Sequence, residues 1–259
     1  MKIEHSKQKK FSTQSIVLIG LFAALCYIAL YLKIPIPSPV GKPFLHMGNM
    51  FVILAALLFN GLIGGASGSI GMGLFDILNG YASSSLKTFI LKFGIGIVTG
   101  KIAAKKNRDS SKSPVKWIAA ASILFATAGI LLLLVSITIG NEISVPGIEK
   151  KLVINPVLYI FSIILGIALG TAGIASKRFS RDIQYAIIAA VGGIAFNLLG
   201  EFLFGTFTLL IAGSSFYPAV LGSAVSLPAT LINGAFSIAA AVALYIPLSK
   251  AVSKFKFYF

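Results

Sequence analysis

Residues 47–79 read MGNMFVILAALLFNGLIGGASGSIGMGLFDILN, and the number of helices in this stretch decides the fold. A single helix over all 33 residues would be about 50 Å long at 1.5 Å per residue, whereas a bilayer core is roughly 30 Å thick. The pair Asn60-Gly61 near the middle favours a turn. We therefore predict two short spans joined at Asn60.

Composition places the chain in a membrane. Hydrophobic residues make up 57% of the 259 residues and charged residues only 11%. In soluble domains about a quarter of all residues are charged. We predict an all-α, polytopic helix bundle that forms one integral membrane domain over residues 1–259. Beside the pair in 47–79, six runs have spanning length: 15–32, 84–104, 116–139, 156–175, 185–212 and 219–248.

The distribution of Lys and Arg supports eight spans. With the N-terminus inside, inner segments carry 16 of these residues and outer loops carry five. Merging 47–79 into one span would leave 7 inside and 14 outside. Because basic loops stay cytoplasmic, we predict eight spans with both termini cytoplasmic. The excess of basic residues is thus explained without a nucleic-acid partner.

Enzymatic chemistry lacks a motif. The two histidines, His5 and His46, form no HExxH zinc site, and no nucleotide-binding sequence is present. We therefore expect no enzyme activity, no cofactor and no metal. If the chain transports a solute, the energy comes from an ion gradient or from a partner.

Three ionisable residues lie at membrane depth, where each costs several kcal/mol unless it is paired or hydrated. They are Asp76, Lys92 and Glu201. Asp76 and Lys92 are expected at similar depth, so a structural salt bridge and a role in ligand contact both stay open. Glu201 should point into the bundle, with Asn197 one turn deeper on the same helix face.

Polar residues concentrate in the outer half of the predicted bundle. Such a set suggests a pocket that captures a small polar ligand from outside; the alternative is that some members only cap helices. The candidate ligand-binding residues are Asn49, Asp76, Asn79, Tyr81, Lys92, Asn197, Glu201, Thr230 and Asn233.

Small residues form two helix faces. Gly61, Gly65, Ser69 and Gly73 recur at four-residue spacing, which favours close packing against another helix of the bundle. A second face carries Gly20 and Ala24, with Ala23 beside it. This second face either packs internally or docks another membrane subunit.

These motifs resemble a known family. The run Phe44-Leu45-His46-Met47-Gly48-Asn49, the segment from Gly71 to Gly80-Tyr81, and Thr88-Phe89-Ile90-Leu91-Lys92 resemble the substrate-capture (S) components of energy-coupling factor (ECF) vitamin transporters. The similarity covers 16–100 well and 185–248 more loosely. It is greatest for the riboflavin, pyridoxine and hydroxymethylpyrimidine-type group.

The resemblance implies a vitamin-binding subunit in the plasma membrane of a prokaryote. Its partners would be a scaffold membrane subunit, two ATP-binding-cassette ATPases and membrane lipid. The family's Ala-xxx-Ala docking motif corresponds to Gly20 and Ala24, with Ala23 beside them, and the loop 34–46 would form an outer lid. The family usually has six spans, so 15–104 and 185–248 correspond to the core and 114–176 to an inserted pair.

A second interpretation is a self-sufficient secondary transporter that uses Glu201 or Asp76 as a proton relay. It differs in its energy source: uptake would need a proton gradient and no ATPase.

Overall fold

The computed structural model describes residues 12–35, 44–107, 115–138, 140–143, 152–153, 156–176 and 178–255. These residues form eight α-helices, with bounds as follows: α1 Thr13–Ala29, α2 Gly48–Leu58, α3 Gly61–Leu78, α4 Ala82–Ala103, α5 Val115–Thr138, α6 Pro156–Ser176, α7 Arg181–Ile211 and α8 Phe216–Val252. A 3₁₀ turn, Ala104–Asn107, extends α4. The all-α prediction is confirmed.

The predicted division of residues 47–79 is confirmed, although its local cause differs from the one we expected. The side chain of Asn60 accepts a hydrogen bond of 2.9 Å from the backbone N–H of Ile63 and so caps the first turn of α3. Gly61 is the first residue of α3 and has no positive φ. The chain is therefore interrupted by a helix N-cap, not by a glycine turn.

Helix lengths leave the number of spans open. In the described part of the chain, α3, α5, α7 and α8 are long and apolar enough to cross a membrane. Thr13–Ala29 and Gly48–Leu58 are apolar but shorter, and α2 with 11 residues extends only about 16 Å at 1.5 Å per residue. Eight helices are thus established, while eight complete spans and the orientation of the termini stay predictions.

The small-residue face of α3 packs against α4, as the spacing predicts. A Cβ on Gly65 would lie 2.7 Å from the carbonyl oxygen of Phe93, so the two backbones are in direct contact. Ser69 lies on the same face and donates from Oγ to the carbonyl oxygen of Phe89 at 2.6 Å. Close backbone approach of this kind is what small residues provide between membrane helices.

Helices α5 and α6 form a hairpin that packs mainly on itself. Ser122 Oγ donates to the carbonyl oxygen of Gly166 at 2.7 Å, and Ser162 Oγ donates to that of Phe125 at 2.8 Å. The hairpin contacts α7 and α8 over a smaller area. The division into a six-span core and an inserted pair is not decided by this packing and stays a prediction.

Candidate functional site

A polar cavity of about 220 Å³ lies among α2, α3, α4, α7 and α8. Each helix contributes one face, because its lining residues recur at helical spacing. Residues 72 and 76 come from α3, residues 84, 87, 88 and 92 from α4, residues 197 and 201 from α7, and residues 229, 230 and 233 from α8. Asn49, in the first turn of α2, completes this wall.

The turn between α3 and α4 brings Tyr81 to the cavity. Gly80 has a φ of 84°, and the N–H of Tyr81 donates to the carbonyl oxygen of Asp76 at 2.9 Å. This is the hydrogen-bond pattern that closes a helix when a glycine follows its end. The chain therefore reverses within a few residues and starts α4 beside the cavity.

The structure brings together eight of the nine predicted ligand-binding residues. The lining includes Asn49, Asp76, Tyr81, Lys92, Asn197, Glu201, Thr230 and Asn233. Asn79 is not part of the lining. It ends α3, where its Nδ2 donates to the carbonyl oxygen of Phe75 and its Oδ1 accepts from the hydroxyl of Tyr31.

Asp76 and Lys92 do not form the salt bridge that sequence allowed. Thr88 Oγ1 donates to Asp76 Oδ2 at 2.5 Å, while Lys92 Nζ donates to Asn197 Oδ1 at 3.0 Å. The side chains of Lys92 and Asn197 are almost fully buried, at 6% and 1% exposed. Each charge is therefore held by a neutral polar partner, which leaves both available for electrostatic contact with a ligand.

The ion pair at the cavity joins α4 to α7. Lys87 Nζ lies 2.8 Å from Glu201 Oε2, and both side chains are partly exposed. Lys87 is not among the ligand-binding candidates taken from the sequence. The spacing marks only Thr88 and Lys92, which are four residues apart and lie on one face of α4.

Asn49 carries an unused acceptor. The residue is 2% exposed, and its Oδ1 atom is buried at the cavity wall without a hydrogen-bond partner among the described residues. An unpaired buried acceptor costs about 1–3 kcal/mol. This cost is recovered if a bound ligand donates a hydrogen bond there.

His46 is a cavity residue that the ligand-binding prediction omitted. Its Nδ1 accepts from the N–H of Gly48 at 3.1 Å, so the proton of the neutral ring lies on Nε2. Burial lowers the pKa of His46 to about 3, and the positive charge of Lys92 adds to this effect. The ring is therefore neutral at physiological pH.

Aromatic side chains surround the mouth of the cavity. A short antiparallel hairpin, β1 (Ile34–Pro35) and β2 (Phe44–Leu45), carries Phe44 to this position. Lys33 Nζ lies 5.2 Å from the ring centre of Phe44 and 5.9 Å from that of Tyr81. Asn233 Oδ1 accepts from the backbone N–H of His46 at 3.2 Å, which ties this segment to α8. Residues 36–43 of the expected lid lie outside the described residues.

The proposed docking residues separate into two groups. Gly20 and Ala24 lie on the exposed side of α1, and a Cβ on Gly20 would meet no atom within 4 Å. Ala23 is 7% exposed and packs against α3, where its carbonyl oxygen contacts Gly71. Ala23 therefore does not share the outer surface, because successive helix residues are about 100° apart around the axis.

The described residues contain no group of three or more His, Cys, Asp or Glu side chains that could hold a metal ion. The remaining lining residues, Leu30, Met72 and Ala229, give the cavity an apolar side. The site thus combines a few fixed polar groups with apolar and aromatic walls, as small-molecule pockets do.

A family model for the ECF-type riboflavin transporter S component matches residues 10–172, which is more than half of the chain. The chain belongs to this family. The resemblance inferred from sequence is thereby confirmed, and an S component is a vitamin-binding transporter subunit, not an enzyme. The matched residues include α1 to α5 and most of α6, so the cavity residues on α7 and α8 lie beyond the match.

A curated relative gives less information about this S component. An uncharacterized protein in gap 3'region from Pyrococcus woesei is 35% identical over 77 residues, which is 30% of this chain. The chain covers about half of that relative's length. No solved structure is a significant match.

Proposed function

We propose that this S component captures a small vitamin or vitamin precursor in the cavity and delivers it to an ATP-driven ECF importer. The observation that carries the proposal is the buried, incompletely paired polar wall formed by Asn49, Lys92 and Asn197. Groups of this kind are costly in a purely structural role, and a ligand that pairs with them recovers the cost.

Capture from the outer face follows from the charge distribution. The cavity lies at the first half of α4, whereas Lys101, Lys105 and Lys106 follow at its other end. Arg178 precedes α7 and Arg181 is its first residue. Lys250 lies in the last turn of α8, and the hydroxyl of Tyr245 on that helix accepts a hydrogen bond from Lys106 at 3.5 Å on this side. Since basic ends stay cytoplasmic, the cavity opens toward the exterior. The membrane is then the plasma membrane of a prokaryote.

The energy source in this proposal is a pair of ATP-binding-cassette ATPases that act through a scaffold membrane subunit. The exposed side of α1 offers a docking surface for that scaffold, formed by Gly20 and Ala24 and flanked by the exposed side chains of Val17, Leu21 and Ile28. Small residues between apolar ones permit close helix contact in lipid. Glu201 and Asp76, the relay candidates of a secondary transporter, are instead engaged by Lys87 and Thr88.

Uptake in whole cells distinguishes the two energy sources. Cells that express the chain with an ECF scaffold and its ATPases should accumulate the solute, and a Walker-motif variant of the ATPases should abolish accumulation. A protonophore applied while ATP is maintained should leave uptake intact. Uptake by the chain alone that collapses with the proton gradient would contradict the proposal and support the secondary transporter.

A further inference from the structure

We propose that the cleft between the α5–α6 hairpin and helices α7 and α8 binds one acyl chain of a membrane phospholipid. The cleft has a volume of about 280 Å³ and shares no lining residue with the polar cavity. All four helices contribute to it, with five leucines, two alanines, Phe125 and Ser162 in the lining. The proposal therefore does not depend on the solute that the polar cavity captures.

The hairpin is joined to the rest of the bundle near one end of the cleft. Ile118, in the first turn of α5, is fully buried. Leu169 of α6 belongs to the same hydrophobic core as Tyr245 of α8. Lys116 and Arg181, in the first turns of α5 and α7, mark this end as the basic one. The hairpin is thus anchored to the bundle at its basic end.

Further from the basic end, a gap separates the hairpin from α7 and α8. Leu124 and Ala128 of α5 line the cleft and are nevertheless exposed. On the opposite wall, Leu198 of α7 and Leu227 of α8 are only partly buried. An unfilled gap forfeits dispersion contacts along both walls, so an occupant that fits between them is stabilising.

The cleft is continuous with the surface that faces lipid. Large apolar side chains beside its rim are exposed, among them Ile123 and Leu131 on α5 and Leu199 on α7. Both of these helices are long and apolar enough to cross a membrane. Hydrocarbon therefore lies next to the cleft at the depth of its lining, and a lipid chain can enter it sideways.

Water is a poor occupant of this space. Ser162 carries the only polar side chain among the described lining residues, and its Oγ already donates to the carbonyl oxygen of Phe125. A buried water molecule needs two to four polar partners, and cavities lined by apolar side chains stay dry. The lining thus favours a hydrocarbon occupant.

A helix of another protein fits the lining less well than a lipid chain does. Contacts between membrane helices are rich in small residues, which let two backbones approach closely. Five of the nine described lining residues are leucine. Long, flexible aliphatic side chains instead conform to a flexible hydrocarbon chain, so we assign the cleft to lipid.

The described residues around the cleft offer little charge to a lipid headgroup. Among residues 124–138, 140–143, 156–162 and 205–231, Glu142 alone is charged. These segments contain no cation that could pair with a phosphate group. Recognition therefore rests on the acyl chain, and lipids with the same chains and different headgroups should bind alike.

Native mass spectrometry of the full chain in mild detergent tests the site. With dioleoylphosphatidylcholine added in small excess, the wild type should retain one lipid per chain. Ala128→Trp fills the cleft from α5 and should lose this lipid. Ile164→Trp, on an exposed position of α6 outside the lining, is the matched control and should retain it. A wild type without lipid, or equal retention in Ala128→Trp, would overturn the proposal.

A second filling variant and a thermal readout cover the case in which Ala128→Trp does not fold. Ala224→Trp fills the cleft from α8 and should also lose the lipid. Because a ligand stabilises the state that binds it, the added lipid should raise the melting temperature of the wild type more than that of either filling variant. Equal shifts in all three proteins would contradict a lipid site in the cleft.

Two further outcomes separate other occupants from an acyl chain. Dioleoylphosphatidylglycerol should be retained to the same extent as the phosphatidylcholine with identical chains, and a preference of tenfold or more for either lipid would overturn recognition through the chain. A dimer that Ala128→Trp dissociates would assign the cleft to a second copy of the chain and overturn the proposal.

Discussion

At the scale of single residues, the site is defined by polar atoms with few protein partners. Lys92 is the most deeply placed cation of the cavity, and its ammonium donates to Asn197 alone among the described residues. A buried ammonium that is this sparsely paired is costly for stability. Its presence is accounted for if ligand binding completes its hydrogen bonds.

Replacement of Lys92 should therefore weaken ligand binding without unfolding the protein. For Lys92→Met we expect about 10- to 100-fold lower affinity, because a hydrogen bond to a charged group contributes about 1.5–3 kcal/mol. Titration calorimetry with the carried solute checks this. Lys101→Met, on the same helix but outside the cavity lining, is the matched control and should bind normally.

The ion pair between Lys87 and Glu201 should be weak. Both side chains are partly exposed, at 31% and 22%, so water screens the attraction. We expect a coupling free energy of about 0.2–1 kcal/mol, as for other exposed pairs. A double-mutant cycle with Lys87→Met and Glu201→Gln, followed by thermal unfolding, measures it. Coupling far above this range would show a desolvated pair instead.

His46 gives a pH dependence with a defined sign. Its pKa is about 3 in the folded protein and about 6.5 when unfolded, so the unfolded state binds more protons between these values. The stability contributed by neutral His46 is thus full above pH 6.5 and is lost progressively as the pH falls toward 3. Between pH 7 and pH 5 the melting temperature of His46→Gln should fall less than that of the wild type. Parallel curves would contradict a neutral His46.

At the scale of helices, contact between small residues determines which helices are neighbours. Gly65→Leu should destabilise the bundle by about 1–3 kcal/mol, the usual cost of overpacking, because its Cβ alone would lie 2.7 Å from the carbonyl oxygen of Phe93. Gly20→Leu should leave thermal stability unchanged, since that position is open. Equal stability of the two variants would contradict the α3–α4 packing.

Position 20 of α1 also tests the proposed docking surface. Gly20→Leu should reduce co-purification with an ECF scaffold subunit, because a large side chain keeps two helices apart. The variant should still bind its solute with normal affinity, since α1 contributes no residue to the polar wall. Normal co-purification would remove this side of α1 from the proposed interface.

Sequence periodicity was sufficient for the helices and for most of the cavity. Asp76, Lys92 and Glu201 were recognisable because an ionisable group at membrane depth has few reasons to be there. Their partners were not predictable: whether Lys92 meets Asp76 or Asn197 depends on the rotation of α4 against α7, which spacing along one helix does not specify. The sequence left open whether the face of Gly20 and Ala24 packs internally, and the structure separates Ala23 from it, because one residue of helical rotation turns Ala23 toward α3.

At the scale of the molecule, the cavity combines helices from both ends of the chain. Asn49, Asp76 and Lys92 belong to the part that matches the S component family, while Asn197 and Asn233 lie beyond it. The family match therefore covers the first part of the chain, whereas the proposed ligand site draws residues from both parts. No described residue of the α5–α6 hairpin belongs to the lining.

The most direct test of capture is to identify the small molecule that the purified chain carries. Wild-type protein and Lys92→Met are extracted in mild detergent from the same cells, denatured, and compared by mass spectrometry. We expect one solute in near-stoichiometric amount with the wild type, and strongly depleted with Lys92→Met. Equal amounts in both samples, or a folded wild type that carries nothing and binds no vitamin, would contradict a ligand site at this cavity.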